Sequence, residues 1–107
     1  MIPRIELIFD ADCPNIERAR AHLRAALATA GIVAHWTEWD RASPSAPRHV
    51  QRYASPTVLV NGTDVAGESK LDAGSGCRVY PSAEGMQGAP PPETIVRALS
   101  AARESAR

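Results

Sequence analysis

Between Asp10 and Asn15 the apolar pattern of the chain changes period, and that change limits the folds open to it. Before it, Ile5, Leu7 and Phe9 alternate with Arg4, Glu6 and Ile8, the period of two that a strand shows. Ile8 makes the end of this strand apolar on both faces, which suits a central strand covered by helices. After it, Ile16, Ala19, Leu23, Leu27 and Ala30 follow helical spacing, with Arg18, Arg20 and Arg24 on other faces. Pro14 fits a first helical position, where its missing N–H is of no consequence, and Gly31 fits the C-terminal cap. A helix of this length carries the chain back along the first strand, so the next strand is expected to run parallel to it.

Ile32 to Trp39 reads as that second strand, rich in β-branched and aromatic residues. Trp36 and Trp39 have opposite parity. Either the strand is covered on both faces, or one indole is exposed on an edge where a partner or a second copy could dock. A Ser/Pro loop spans Arg41 to Ala46, and Pro47 to Tyr53 suits a short helix with Val50 and Tyr53 turned inward. Thr57 to Val60 is a third strand. Asn61-Gly62 is a hairpin signal, and Asp64 to Ala66 is the expected return strand. Gly67 to Gly88 reads as a long glycine-rich loop, with Cys77-Arg78-Val79-Tyr80 as a brief strand inside it. Pro90-Pro91-Pro92 opens a last helix, striped by Ile95, Val96, Leu99 and Ala102, with Ser105 to Arg107 fraying.

At 107 residues the chain suits one domain with one core. The net charge is 0 and no basic block is present, which argues against nucleic acid or an anionic membrane as partner. No secretory signal and no run of about 18 apolar residues is visible, so the expected setting is the cytoplasm, where thiols stay mostly reduced. His22, His35 and His49 have no metal-ligand spacing with either cysteine, and no phosphate-binding glycine motif is present.

The chemistry-bearing residues are therefore the two cysteines and what surrounds them. Cys13 stands at the strand-to-helix junction, in Asp12-Cys13-Pro14-Asn15. Backbone N–H groups at a helix N-terminus favour a thiolate, while Asp10 and Asp12 work against it. A thiol exchange using a Cys-x-x-Cys pair is excluded, because the second position is Ile16. Some forty residues later Ser55-Pro56-Thr57 precedes the third strand.

These pieces resemble the thioredoxin-like superfamily. Cys13-Pro14, Ser55-Pro56-Thr57, Cys77-Arg78-Val79-Tyr80 and Gly88-Ala89-Pro90-Pro91 are similar, more narrowly, to motifs of short bacterial thioredoxin-family proteins with a single active-site cysteine. The resemblance implies an α/β fold: a four-stranded mixed sheet, elements in the order β-α-β-α-β-β-α, helices on both faces and a long Gly-rich loop before the last helix. It implies a cis bond at Pro56, facing Cys13, with Ser55 pairing through its backbone to an extended peptide or thiol ligand. Pro14, Thr57, Arg78 and Tyr80 would line the same cleft.

The implied activity is thiol-based redox chemistry of the monothiol type, or handling of a soft metal ion, with Cys13 as nucleophile and no organic cofactor. The partner would be a thiol or disulfide, such as glutathione or another low-molecular-weight thiol. Three roles stay open for Cys77: a distant resolving thiol, a second sulfur ligand for Cu(I), Zn or Hg(II), or a packed strand residue. The rival reading is a non-catalytic thioredoxin-like module that uses the edge bearing Trp36 or Trp39 for dimerisation or partner binding.

Overall fold

The computed structural model describes residues 2–67, 79–83 and 85–105. Its elements run β1 (Ile5–Phe9), α1 (Ile16–Ala30), β2 (Thr37–Asp40), a 3₁₀ helix (Arg48–Arg52), β3 (Thr57–Val60), β4 (Thr63–Asp64), β5 (Tyr80–Ser82), β6 (Gly85–Gln87) and α2 (Pro92–Ser105). A four-stranded sheet has the order β2-β1-β3-β4, and β5 and β6 form a separate two-stranded sheet. β1 pairs parallel with β2, Phe9 facing Asp40, and antiparallel with β3, Ile8 facing Thr57. This is a thioredoxin-like topology.

β1 is central, and its side chains divide between two cores. Ile5 and Leu7, with Val58 and Val60 of β3, face α1 and α2, which contribute Ala19, Leu23, Ala26, Leu27, Ile95 and Leu99. Ile8 and Leu59 face the other way, against Val50 of the 3₁₀ helix and the half-buried Trp39, Ala46 and Tyr53. Both long helices thus share one face and the 3₁₀ helix covers the other. Truncating a fully buried leucine such as Leu23 would cost about 2–5 kcal/mol.

The helix ends follow from local chemistry. Gly31 adopts φ 71°, and its N–H and that of Ile32 bond back to Ala28 and Leu27 at 3.2 and 2.9 Å. That pair of bonds is a Schellman cap, which needs a left-handed residue at this position. α1 begins later than the sequence pattern predicts. Pro14 lies in the turn rather than at the first helical position, because Asn15 (φ −102°, ψ 9°) is the N-cap and Ile16 the first helical residue.

Three further expectations need correction. The sequence pattern predicts a strand over Ile32–Trp39, but β2 starts only at Thr37, opposite Glu6. The preceding residues reach the beginning of β1, where the ladder has no further rungs to offer. β4 is Thr63–Asp64 rather than Asp64–Ala66. Asn61 (φ 52°) and Gly62 (φ 84°) make the two-residue turn, and the Asp64 carboxylate then accepts the Ala66 N–H at 3.0 Å, bending the chain out of the strand. The third lies in the Gly67–Gly88 stretch, expected as loop around a Cys77–Tyr80 strand. It contains the β5–β6 hairpin, which begins at Tyr80 and pairs it with Gln87, while 68–78 and 84 lie outside the described residues.

The edge strand is tied to α1 by a polar cluster. Arg20 donates to both Glu38 oxygens (2.9 and 2.8 Å), pairs with Glu17, and lies 5.9 Å from the centre of the Phe9 ring. Trp36 Nε1 also donates to Glu38, at 3.0 Å. These hydrogen bonds, Arg20's above all, hold the Glu38 carboxyl below its ordinary value, against a smaller opposing effect of burial. The same hydrogen bond raises the Arg20 guanidinium. A depressed carboxylate stabilises the fold above its unfolded value and loses that contribution as pH falls through the folded one. Glu38→Gln should therefore lower stability near neutral pH by about 1 kcal/mol, allowing for solvent screening. Urea midpoints across pH check this: the gap between variant and wild type should close in acid, and a gap constant down to the lowest pH would refute the assignment.

Candidate functional site

Three segments meet at the edge of the sheet where β1 and β2 end and β3 begins. The first is the turn between β1 and α1. Cys13 is 7% exposed and its N–H donates to the Asp10 carbonyl at 2.9 Å, closing a four-residue turn two positions before the N-cap. Pro14 is exposed and Asn15 half-buried. Ile16, where a second cysteine of a Cys-x-x-Cys pair would stand, is the first residue of α1.

The second segment leads into β3. The Ser55–Pro56 peptide bond is cis. Ser55 and Thr57 are fully buried, and the Thr57 hydroxyl donates to the Ala54 carbonyl at 2.6 Å. The Ser55 hydroxyl is buried with no hydrogen-bond partner among the described residues. Antiparallel pairing of Ile8 with Thr57 sets this segment beside the end of β1.

The third is the β5–β6 hairpin with the chain that leads to α2. Tyr80 is 2% exposed and its hydroxyl donates to the Pro56 carbonyl, so the hairpin braces the proline segment from outside the main sheet. Gly88 lies against Asn15: a Cβ there would stand 2.3 Å from Asn15 Nδ2 and 2.4 Å from Asn15 Cγ. Only glycine leaves room for the Asn15 side chain to lie this close to the backbone at position 88. His22 Nδ1 adds a bond to the Pro90 carbonyl at 2.9 Å, holding the same chain to α1.

The sequence reasoning missed Arg41, which it assigned to a Ser/Pro loop. The Arg41 N–H extends the β1–β2 ladder to the Phe9 carbonyl (2.8 Å), and its guanidinium Nη1 lies 2.9 and 3.1 Å from the two Asp10 oxygens. Gln51 of the 3₁₀ helix donates to the Arg41 carbonyl at 2.7 Å. The signal was available in principle. Asp10 and Arg41 each follow directly on a strand, and the strands are parallel with Phe9 opposite Asp40, so the two residues are lateral neighbours.

Of the residues singled out in the sequence, Cys13 and Pro14 lie on the first segment, Ser55, Pro56 and Thr57 on the second, and Tyr80 on the third. Cys77 and Arg78 lie outside the described residues. Among the described residues no group of three or more His, Cys, Asp or Glu side chains could hold a metal ion, and no helix is long and apolar enough to cross a membrane.

Neither indole is an exposed anchor. Trp36 packs half-buried against the two-helix core, while Trp39 packs on the 3₁₀-helix face and donates to Glu6 at 2.9 Å. Glu6 is itself buried and also accepts from His49 Nε2 at 2.9 Å. Trp39 packs on one face of β2 and Glu38 is held by Arg20 on the other, while Thr37 is exposed and β2 remains at the sheet's edge.

No family model, curated protein or solved structure matches the chain.

The contact of Gly88 with Asn15 gives a direct test. Gly88→Ala should destabilise the fold by about 1–3 kcal/mol through overpacking. Asn15→Gly alone should cost only a few tenths, because glycine is tolerated at an N-cap. In urea unfolding the double variant should recover most of the Gly88→Ala loss; strict additivity of the two changes would show that the contact is not the cause.

Proposed function

We propose that the protein carries out thiol–disulfide exchange of the monothiol type, with Cys13 as the nucleophile. The reading is supported chiefly by the register of β1 with β3: Thr57, next to the cis Ser55–Pro56 bond, pairs with Ile8, and the turn closed by Asp10 and Cys13 follows two residues later. The Cys13 thiolate attacks one sulfur of a disulfide RS–SR′. A Cys13–SR bond forms, the S–S bond of the substrate breaks, and R′S⁻ leaves with the electron pair. A second thiolate R″S⁻, from a low-molecular-weight thiol such as glutathione, then attacks the substrate-derived sulfur: an RS–SR″ bond forms, the Cys13–SR bond breaks, and Cys13 leaves as the thiolate. Cys77 would act differently, attacking Cys13 Sγ to form a Cys13–Cys77 disulfide and release RS⁻, and an external thiol would then reduce that disulfide.

In this reading the backbone around Ser55 and Pro56 pairs with the substrate, Thr57 and Tyr80 hold that backbone in place, and Pro14 flanks the site. The buried position of Cys13 favours a small substrate or a slight opening of the turn over attack on a bulky disulfide. The main prediction concerns mass. Wild-type protein incubated with oxidised glutathione should gain one glutathionyl group at Cys13, reversibly on reduction, and Cys13→Ser should lose that modification entirely. Modification confined to Cys77 in the wild type would sink the assignment.

A second reading, a non-catalytic module that pairs through an open sheet edge, is favoured by the outer position of β2. It calls for a dimer in solution whose mass is halved when β2 pairing is blocked by Glu38→Pro. A monomeric hydrodynamic mass for the wild type would dispose of it.

A further inference from the structure

Two carboxylates crowd the Cys13 turn, Asp10 and Asp12, and the fold treats them differently. Asp12 is exposed to solvent. Asp10 is met by Arg41, whose side chain is only 13% exposed against 30% for the carboxylate. Arg41 is fixed at both ends of its backbone, through its N–H to Phe9 and its carbonyl to Gln51. The neighbouring cation Arg20 is engaged with Glu38 and Glu17 on the α1 side. The turn closed by the Cys13 N–H brings the Cα atoms of Asp10 and Cys13 within about 7 Å. That is inside the Debye length of about 8 Å at physiological ionic strength.

We propose that Arg41 is a positioning residue of the Cys13 turn, and that its pairing with Asp10 opens the site to anionic low-molecular-weight thiols and disulfides, those bearing carboxylates close to the sulfur. The inference rests on the reading of Cys13 as the reacting thiol. Asp10 holds the turn by its carbonyl and Arg41 by its carboxylate, so one residue links the cysteine to the platform of β2 and the 3₁₀ helix. Without the guanidinium, Asp10 and Asp12 would present two negative charges to any incoming carboxylate. With it, one is cancelled, and the remaining one stands outward in solvent, where screening is strongest. A substrate of neutral charge would gain little from this arrangement; an anionic one gains access.

The test compares two alkylating reagents of similar size and opposite demands, neutral iodoacetamide and anionic iodoacetate. Rates at Cys13 are read by peptide mass mapping, which separates Cys13 from Cys77, at one pH and low salt. Both reagents meet the same sulfur, so any change in its ionisation cancels in the ratio of the two rates. Arg41→Gln should lower the iodoacetate-to-iodoacetamide ratio roughly three- to tenfold. Asp10→Asn should raise it, the double variant should return it towards the wild-type value, and Arg41→Lys should keep it. Added salt should erase the differences.

If Arg41→Gln fails to fold by circular dichroism, Asp10→Asn and Arg41→Lys still decide the matter. A ratio unchanged in the folded variants, with both rates moved by a common factor, would mean a purely structural role and would overturn the proposal. A wild-type Cys13 that reacts with neither reagent until denatured would overturn the thiol reading itself, and this inference with it.

Discussion

The two-sided hydrogen bonding of β1 governs the rest of the molecule. A strand paired on both edges can bury both faces without leaving backbone groups unsatisfied, and β1 does so: Leu7 and Ile8 are both fully buried, on opposite faces. Because β2 runs parallel and β3 antiparallel, the end of β1 adjoins the end of one neighbour and the start of the other. The Cys13 turn, the loop that opens at Arg41 and the Ser55–Pro56 segment gather at one end of the sheet for this reason, although they are far apart in sequence. A one-residue slip in either ladder would turn every side chain to the wrong face, so the two cores that fix the register also fix the site.

Polar groups at the site are held mostly by backbone partners. The turn of Cys13 closes on a carbonyl, Tyr80 reaches the Pro56 carbonyl, and His22 reaches that of Pro90. Such contacts depend on the path of the chain more than on residue identity, and they leave the cleft's character to a few side chains. The Asp10–Arg41 pair is one of the exceptions. It joins two loops side chain to side chain, at 2.9 Å.

Much of this was legible in the sequence where a single segment carried its own signal. The change of period at Asp10–Asn15, the Gly31 cap and the Asn61-Gly62 turn each rest on local sterics or spacing, and the corresponding elements form. What escaped depended on partners distant in the chain. Ile32 to Trp36 is β-rich, yet a strand exists only where another offers a rung, and β1 offers one from Glu6 onward. The β5–β6 hairpin was hidden because Tyr80 and Gln87 give no pairing signal of their own, the turn between them lacking a two-glycine or Asn-Gly motif. Arg41 was hidden for the same reason: its partner is thirty-one residues away and is identified by register alone. At the site, Cys13, Pro56 and Tyr80 could be named from the sequence, while the Asp10–Arg41 pair could not.

The two tryptophans sit on opposite sides of the sheet, Trp36 with the two-helix core and Trp39 with the core under the 3₁₀ helix. The chain thus carries one tryptophan in each hydrophobic layer. A protein that melts as a unit would show both emissions changing at the same denaturant concentration, whereas a loosening of one layer alone would separate them. With single-tryptophan variants, Trp36→Phe and Trp39→Phe, the question of whether the thin layer under the 3₁₀ helix opens ahead of the thick one becomes an optical measurement.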